Sequence, residues 1–233
     1  MNGIVDFHCH ILPGIDDGSK SVEMSVAMLQ KEAEQGIRQV IATPHFYANY
    51  DHPQRFLERR NAAEARLREE MEKHSDLPQL SVGAEVYFFP GMSSSDWLSA
   101  LTMSQKKCML IEMPESAWTE NNYRELGRIY ENCGIIPVIA HVERCISLFR
   151  NRDLLRRLGE LPVLVQANAS FFLNPRTRHT AMKMLRKEQI HLLGSDCHNL
   201  TERGPNLGPA LELIRGHLGD GAVEWIRKYQ EMI

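Results

Sequence analysis

The chain of 233 residues lacks an even set of closely spaced cysteines, a positive net charge and a long apolar run, and each absence argues against a class of protein. Its five cysteines are scattered and odd in number, which argues against a disulfide framework and predicts reduced thiols in the cytoplasm. The net charge is −3, so no overall positive field is present to recruit nucleic acid or an anionic membrane surface. The longest apolar runs, such as residues 135–140, are too short to span a bilayer, and no secretory signal is visible.

The sequence also lacks a charge block, a low-complexity stretch or a Pro/Gly-rich linker that would mark a domain boundary. We therefore expect one domain over residues 1–233, a size that α/β barrels commonly reach.

Seven short, β-branched apolar runs alternate with longer amphipathic segments. This alternation is typical of βαβ units and predicts a parallel sheet accompanied by helices. The predicted strands are residues 3–7, 39–42, 80–84, 108–111, 135–140, 161–165 and 190–193. The predicted helices are residues 22–34, 53–74, 93–103, 123–133, 152–158, 174–187 and 205–218.

Polar side chains that could bind metal ions or a substrate follow nearly every predicted strand. They are His8, His10, His45, Glu85, Glu112, His141, Gln166, Asn168, Asp196 and His198. An open sheet would concentrate such residues at one switch point, whereas a barrel brings all its C-terminal strand ends to one rim. The pattern therefore favours an α/β barrel with its active site at the C-terminal ends of the strands.

Nine of the acidic and histidine side chains form the predicted metal site. They are His8, His10, Asp17, His45, Glu85, Glu112, His141, Asp196 and His198. One ion needs fewer ligands, and this mixture of imidazole and carboxylate suits two or three ions of Mn, Fe or Zn that share bridging carboxylates. Either Asp16 or Asp17 could be the ligand from the loop after the first strand, and either could instead stabilise a turn or cap a helix.

The regular alternation of a strand predicts which neighbours point the same way. Asp6, His8 and His10 should share one face of the first strand, because side chains two residues apart lie on the same side. Cys9 and Cys197 lie between predicted ligands, so we expect them to point away from the metal site and to pack as buried thiols.

Three further residues are candidates for binding substrate. Arg144 follows His141 closely, and its guanidinium could hold a phosphate through two parallel hydrogen bonds. The alternative is a surface salt bridge, for example with Glu143. Tyr47 and Phe171 follow the second and sixth predicted strands and could line an apolar rim of the site, or could equally belong to the local core.

Six segments carry a resemblance to a known family. They are residues 6–19 (DFHCHILPGIDDGS), 43–45 (TPH), 83–87 (GAEVY), 139–144 (IAHVER), 166–170 (QANAS) and 195–198 (SDCH). These segments resemble the polymerase and histidinol phosphatase (PHP) superfamily. Within it, the DDG loop and the HVER segment are similar to the manganese-dependent protein-tyrosine phosphatases of bacterial capsule and exopolysaccharide systems.

The resemblance implies a distorted (β/α)7, TIM-like barrel with a cluster of Mn²⁺ ions. His8, His10, Glu85 and Asp196 would hold one ion, and Glu85 would bridge to a second ion held by Glu112 and His141. His45, His198 and Asp17 would complete a third site. Asp196, His198 and Arg144 would take part in catalysis, with Arg144 on the phosphate. The implied substrate is the tyrosine-rich tail of a bacterial tyrosine kinase that controls polysaccharide export.

Other functions are compatible with parts of this pattern. A small-molecule phosphatase of the histidinol phosphatase type would share the metal cluster, and a non-catalytic, metal-stabilised scaffold of a polysaccharide export complex would need no turnover. A cysteine-based phosphatase is disfavoured, because the Cys197-x5-Arg203 segment lacks the glycines that let backbone N–H groups cradle a phosphate. A metal-dependent amidohydrolase is disfavoured because no predicted strand ends in a lysine.

Overall fold

The computed structural model describes residues 3–103, 107–146 and 153–232. Its strands are β1 Ile4–Cys9, β2 Ile37–Ala42, β3 His45–Phe46, β4 Gln79–Val82, β5 Glu85–Tyr87, β6 Cys108–Glu112, β7 Ile136–Ile139, β8 Leu164–Asn168 and β9 Leu192–Gly194. Its helices are α1 Val22–Glu34, α2 Pro53–Met71, α3 Glu120–Cys133, α4 Val142–Ile146, α5 Leu154–Leu158, α6 Ala169–Leu173, α7 Arg178–Arg186, α8 Leu207–Leu218 and α9 Asp220–Met232. All strand pairs in these ranges are parallel, which confirms the predicted α/β fold.

The strands form a curled parallel sheet. β1, β2 and β4 are neighbours in one part, and β3, β5, β6, β7, β8 and β9 follow one another in the other. The last strand returns to the first, because the Asp196 amide donates to the His8 carbonyl at 2.7 Å and the His10 amide donates to the Cys197 carbonyl at 2.9 Å. These bonds bring the two histidine-containing segments at opposite ends of the sequence together.

Two strands of the sheet are each interrupted by two residues: β2 continues as β3, and β4 continues as β5. β3 resumes after Thr43 and Pro44, and β5 resumes after residues 83–84. Pro44 has no N–H to donate to a sheet ladder, but its carbonyl accepts from the Glu85 amide at 3.0 Å. The interruption places His45 and Glu85 opposite each other at the start of β3 and β5.

Most predicted helices are present, with α1 matching its predicted bounds and beginning at the Ser21 cap, whose side chain accepts from the Met24 amide. The predicted helix over residues 93–103 is wrong: only two 3-10 turns form, at Met92–Ser94 and Leu98–Leu101. Serine and aspartate side chains at residues 93–96 favour turns over a continuous helix. Part of the predicted helix over residues 152–158 lies outside the described residues.

Three short or terminal helices were not predicted. α4 and α6 directly follow strand ends and have only five residues each, too few to show a helical period. The predicted strand over residues 161–165 is displaced, since β8 begins at Leu164, beyond Pro162. The third unpredicted helix, α9, packs against β1 and β9. The side-chain amide nitrogen of its Gln230 donates to the Val5 carbonyl at 3.1 Å.

Buried apolar side chains fill both sides of the sheet, as expected for parallel strands covered on both faces. The inner group contains Phe7, Ile41, Met103, Cys108, Leu110, Val138, Ala140 and Leu192. Within the described residues, no helix combines the length and the apolar character that crossing a membrane requires.

His191 directly precedes β9, at the end of the strand opposite to the candidate ligands, which follow the C-terminal ends of the strands. Its Nδ1 accepts from the Val165 amide at 3.0 Å, and its ring packs edge-on against Tyr229 of α9. Burial lowers the pKa of His191 to about 4. The native protein therefore holds this imidazole neutral at pH values where the unfolded chain protonates it.

We expect the free energy of unfolding to fall as the pH drops from about 6.5 to about 4, since the unfolded state binds the extra proton in that window. Below the folded pKa both states are protonated, and the loss levels off. The His191 contribution should reach at most about 3.4 kcal/mol, because the pKa falls from 6.5 to about 4 and each pKa unit corresponds to about 1.4 kcal/mol. Urea titrations of wild type and His191→Asn across this range isolate it, because Asn retains an acceptor but does not titrate. Parallel pH profiles for the two proteins would contradict the assignment.

Candidate metal centre

Glu85 lies at the middle of the polar rim and is surrounded by imidazoles. Its Oε2 atom is 3.2 Å from Nε2 of His8, 3.2 Å from Nε2 of His10 and 3.0 Å from Nδ1 of His45. Its Oε1 atom is 2.8 Å from Nε2 of His141. The side chain is 1% exposed, so this carboxylate is removed from water and depends on these neighbours.

Two more carboxylates approach the same imidazoles, one from the end of β6 and one from the segment after β9. Oδ1 of Asp196 lies 3.5 Å from Nε2 of both His8 and His10. Oε1 of Glu112 lies 3.7 Å from Nε2 of His141. The strand ends thus bring the predicted ligands from β1, β5, β6, β7 and the segment after β9 into one cluster.

The loop after β1 contributes both of its aspartates, but in different ways. Oδ1 of Asp17 lies 3.5 Å from Nε2 of His45 and 3.4 Å from Nε2 of His198. Asp16 instead accepts from Nδ1 of His10 at 2.8 Å and from the His45 amide at 3.1 Å. Asp17 therefore faces the cluster as a candidate ligand, and Asp16 orients the His10 imidazole and holds the main chain at His45.

Three overlapping groups offer ligand atoms that lie within 4.8 Å of one another. They are His8, His10 and Glu85; His45, Glu85 and Glu112; and His10, Asp17, His45 and His198. Several polar atoms here are buried and make no hydrogen bond, namely His45 Nδ1, Glu85 Oε2, His141 Nδ1 and His198 Nε2. Buried polar atoms without partners are costly, and imidazole and carboxylate donors suit Mn, Fe or Zn. The residues therefore fit divalent ions.

The pKa values of the cluster reflect its dense charge. Burial opposes ionisation of Glu85, but the His8 charge and the adjacent His10 and His141 imidazoles hold the pKa of Glu85 well below its usual value. Despite burial, Asp16 and Glu85 raise the pKa of His10 to about 10. Burial and the His10 charge lower the pKa of His198 to about 4. Without a cation, protonated imidazole is what balances the buried carboxylates.

Two candidate ligands have a backbone conformation that L-residues rarely adopt. Asp196 has φ 54° and His141 has φ 31°. Both lie just after the C-terminal end of a strand, where the chain turns sharply toward the rim. Such conformations cost of order 1–3 kcal/mol each and persist only when the surrounding structure enforces them, which is common at functional sites.

Two buried amides at the end of β8 hold the ligands in place. Oε1 of Gln166 accepts from the His141 amide at 2.7 Å and lies 3.3 Å from Nδ1 of His8. Nε2 of Gln166 donates to Asn168, whose Nδ2 donates to Oδ2 of Asp196 at 2.9 Å. A hydrogen bond at Nδ1 fixes the His8 tautomer that leaves Nε2 free to bind a metal ion.

Arg144 lies at the edge of the cluster, with its Nη2 atom 2.9 Å from Oδ2 of Asp196 and its Nη1 atom 3.6 Å from Oε1 of Glu112. Arg203, which was not predicted as a site residue, places Nη2 2.9 Å from the same Asp196 oxygen. The Asn199 side chain accepts from the Arg203 amide and turns the loop back toward the site. The two guanidinium groups are 37% and 42% exposed, so an anion from solvent can reach both.

A family model for capsular polysaccharide synthesis proteins, CpsB/CapC, matches residues 4–231. The chain belongs to the CpsB/CapC family.

Several relatives in this family are named as phosphatases. The chain is 27% identical over 221 residues to the tyrosine-protein phosphatase CpsB of Streptococcus agalactiae serotype III, covering 91% of this chain and 89% of the relative. It is 28% identical over 228 residues to the tyrosine-protein phosphatase YwqE of Bacillus subtilis, covering 93% of this chain and 85% of the relative.

Solved structures agree with the family assignment. The crystal structures of YwqE from Bacillus subtilis and CpsB from Streptococcus pneumoniae, described as unique metal-dependent tyrosine phosphatases, include a chain that superposes with a TM-score of 0.80. That chain is 26% identical, and the match covers 96% of this chain and 94% of that one. A phosphotriesterase homology protein from Escherichia coli is 12% identical, with a TM-score of 0.56, and shares the fold alone.

The two predicted aromatic contacts lie beside different candidate site residues. The Tyr47 ring is half-buried, with its centroid 5.4 Å from that of His45 and 5.6 Å from that of Tyr87. Phe171 is 5% exposed and lines, with Arg144, a cavity of about 470 Å³. Tyr47 therefore lies beside the candidate centre, whereas Phe171 belongs to the hydrophobic core and borders the cavity next to Arg144.

One prediction about the first strand is wrong. Asp6 does not share the face of His8 and His10, because its carboxylate accepts from the Ser195 amide and hydroxyl and from the His8 amide. The register of β1 against β2 is irregular between Asp6 and Cys9, which breaks the two-residue alternation. Cys9 and Cys197 are fully buried thiols, as predicted.

Close packing at a glycine of β9 keeps His8 in position. A Cβ atom at Gly194 would lie 2.5 Å from the Cβ atom of His8 and 2.9 Å from its amide nitrogen. These contacts are far shorter than van der Waals distances, so an added methyl group must displace β1 or β9.

Gly194→Ala should lower the free energy of unfolding by about 2 kcal/mol or more, because overpacking strains two hydrogen-bonded strands. Gly221→Ala is the matched control, since a Cβ atom there meets nothing within 4 Å. Urea denaturation of both variants measures the difference. Equal stability of the two variants would mean that the sheet accommodates the methyl group without strain.

Proposed function

We propose that this chain is a metal-dependent protein-tyrosine phosphatase. The observation that carries the proposal is the juxtaposition of the metal-ligand cluster around Glu85 with two solvent-accessible guanidinium groups, from Arg144 and Arg203, on one carboxylate oxygen of Asp196. A phosphate monoester is doubly charged and inert in water, so its hydrolysis requires concentrated positive charge. The names of the CpsB and YwqE relatives support the same activity.

The nine predicted ligands would hold two or three divalent ions. We assign His8, His10, Glu85 and Asp196 to one ion, Glu85 with Glu112 and His141 to a second, and Asp17, His45 and His198 to a third. We propose Mn²⁺ as the ion, with Fe or Zn as alternatives, since the donor set is shared among them. When bound, such ions supply positive charge and an activated water for attack on phosphorus.

The side chains around the cluster bind and orient the substrate. Arg144 and Arg203 would exchange their contact with Asp196 for the phosphoryl oxygens, which carry more charge in the transition state than in the bound substrate. Asp196 remains held by Asn168, so it keeps its orientation when the arginines turn to the phosphate. Tyr47, which borders the groove beside His45, and Phe171, which borders the cavity beside Arg144, would offer apolar surface to the substrate.

The tyrosine leaving group needs little help from a general acid. A phenolate leaves more readily than an alkoxide, so positioning and charge stabilisation provide most of the catalysis. Burial, together with the charges of Glu112 and Glu85, raises the pKa of Tyr47 above its usual value. Tyr47 therefore stays protonated and can donate a hydrogen bond at the edge of the site.

Three further proposals concern the number of barrel strands, the cellular compartment and the substrate. We interpret the interrupted lines β2–β3 and β4–β5 as single barrel positions, which gives a distorted (β/α)7 barrel formed by one domain over residues 1–233. The odd number and scattered positions of the five cysteines support action in a reducing compartment such as the cytoplasm. We propose a tyrosine-phosphorylated protein as substrate, namely the tail of a bacterial tyrosine kinase that regulates capsule or exopolysaccharide synthesis.

Metal removal tests the proposed reaction. A chelator should abolish the release of phosphate from a phosphotyrosine peptide, and Mn²⁺ should restore it, because the ligands alone provide no activated nucleophile. Glu85→Gln should lower metal content, measured by mass spectrometry, whereas Glu131→Gln on the exposed face of α3 should not. Substantial turnover by protein shown to be metal-free would refute the mechanism, and a preference for histidinol phosphate would favour a small-molecule phosphatase.

The arginine pair can be separated from the metal site. Arg144→Ala and Arg203→Ala should each leave metal content unchanged and lower kcat/KM by roughly ten- to a thousandfold, which equals about 1.4 to 4 kcal/mol of transition-state stabilisation. Lysine should rescue only part of the loss, because it cannot form two parallel hydrogen bonds. If either alanine variant showed wild-type kinetics, that arginine would only hold Asp196 in place and would not bind the phosphate. A loss of bound metal in either variant would mean that the arginine supports the metal cluster.

A further inference from the structure

A groove of about 640 Å³ opens beside the candidate metal centre. Asp17 and His45 line it from the centre, Arg55 and Arg59 line it from α2, and Tyr47 and Tyr50 line it from the segment between β3 and α2. The groove is therefore continuous with the place where a phosphotyrosine would bind. Residues that flank a phosphotyrosine in a protein substrate must pass along a surface of this kind.

The two arginines of the groove differ in their charge environment. Arg59 forms an ion pair with Asp51, whose carboxylate also lines the groove. Arg55 is exposed, and in the described part of the chain its guanidinium has no hydrogen bond or ion pair within 4.0 Å. One cation of the groove is thus neutralised, and the other remains available to an anionic side chain from outside.

The location of Arg55 also favours an incoming anion. It lies in the first turn of α2, which contains no acidic residue, and His52 before the helix makes no side-chain cap. A cation at this end of a helix is disfavoured by the helix dipole, whereas an anion is stabilised there. A bound carboxylate would offset both the dipole and the Arg55 charge.

An exposed aromatic ring lies in the same groove. Tyr50 is 89% exposed, and its ring centroid lies 6.4 Å from that of Tyr47. Tyrosine combines a large apolar face with a polar hydroxyl, and such side chains are enriched where peptides bind. The pair offers a surface for the apolar part of a flanking residue.

We propose that this groove selects phosphotyrosine proteins with an acidic residue next to the phosphotyrosine, which pairs with Arg55 while the neighbouring chain packs on Tyr47 and Tyr50. The proposal rests on the proposed phosphatase function and adds the sequence context of its substrate. The recognised chemistry is a carboxylate side chain in an extended peptide. Small phosphate esters carry no such group and use only the metal centre and the arginine pair.

Three phosphotyrosine peptides that differ only in acidic, neutral or basic flanking residues test the proposal. Wild type should show the highest kcat/KM on the acidic peptide, and the preference should weaken with added salt. Arg55→Glu should change the ratio of kcat/KM between acidic and basic peptides by about tenfold in favour of the basic one, because attraction becomes repulsion. Non-hydrolysable phosphonate versions of the peptides, titrated by fluorescence anisotropy, should show the same inversion in Kd.

The variant and its control are chosen so that folding does not interfere. Glutamate in the first turn of α2 is favoured by the helix dipole, so Arg55→Glu should fold normally. Arg128→Glu on the exposed side of α3 makes the same change of charge away from the groove. A ratio that shifts equally in both variants, or in neither, would overturn the proposal. Failure of metal-loaded wild type to hydrolyse free phosphotyrosine would instead overturn the phosphatase function itself.

Discussion

The rest of the site depends on the burial of one carboxylate, that of Glu85. Its side chain is 1% exposed, and its two oxygens contact imidazoles from three different parts of the chain. A buried carboxylate without compensation is very costly, so each of these imidazoles must be held close to it. Glu85 is opposite His45 in register, and β5 begins at this residue. The fold thus places this buried charge where four imidazoles converge.

The surrounding elements maintain this arrangement through the backbone. Hydrogen bonds between the segment after β9 and β1 fix His8, His10, Asp196 and His198 relative to one another. The amides of Gln166 and Asn168 then join His8, His141 and Asp196 through their side chains. The positions of these residues are therefore set by main-chain geometry and buried amides, whereas Asp17 comes from the exposed loop after β1.

The sequence predicted the parallel α/β fold and the gathering of the ligand-type residues, because both follow from the alternation of apolar runs and the polar residues at their ends. It did not predict the orientation of Asp6, since an irregular register between Asp6 and Cys9 cannot be read from a local pattern. Arg203 was missed for a similar reason: it reaches the site through a turn held by the Asn199 side chain. The distinction between Asp16 and Asp17 also depended on loop geometry that two adjacent aspartates do not specify.

The hydrogen bonds that join β1 to the segment after β9 have a consequence for how the protein is made. His8 and His10 leave the ribosome early, whereas Asp196 and His198 follow nearly two hundred residues later, and Gln230 of α9 contacts Val5 across 225 positions. Contacts so distant in sequence form late, because the chain between them must first be ordered. A nascent chain therefore holds only part of the metal-binding set during synthesis. Ions that bind the completed arrangement would stabilise the native state by mass action, coupling metal supply to the yield of folded protein.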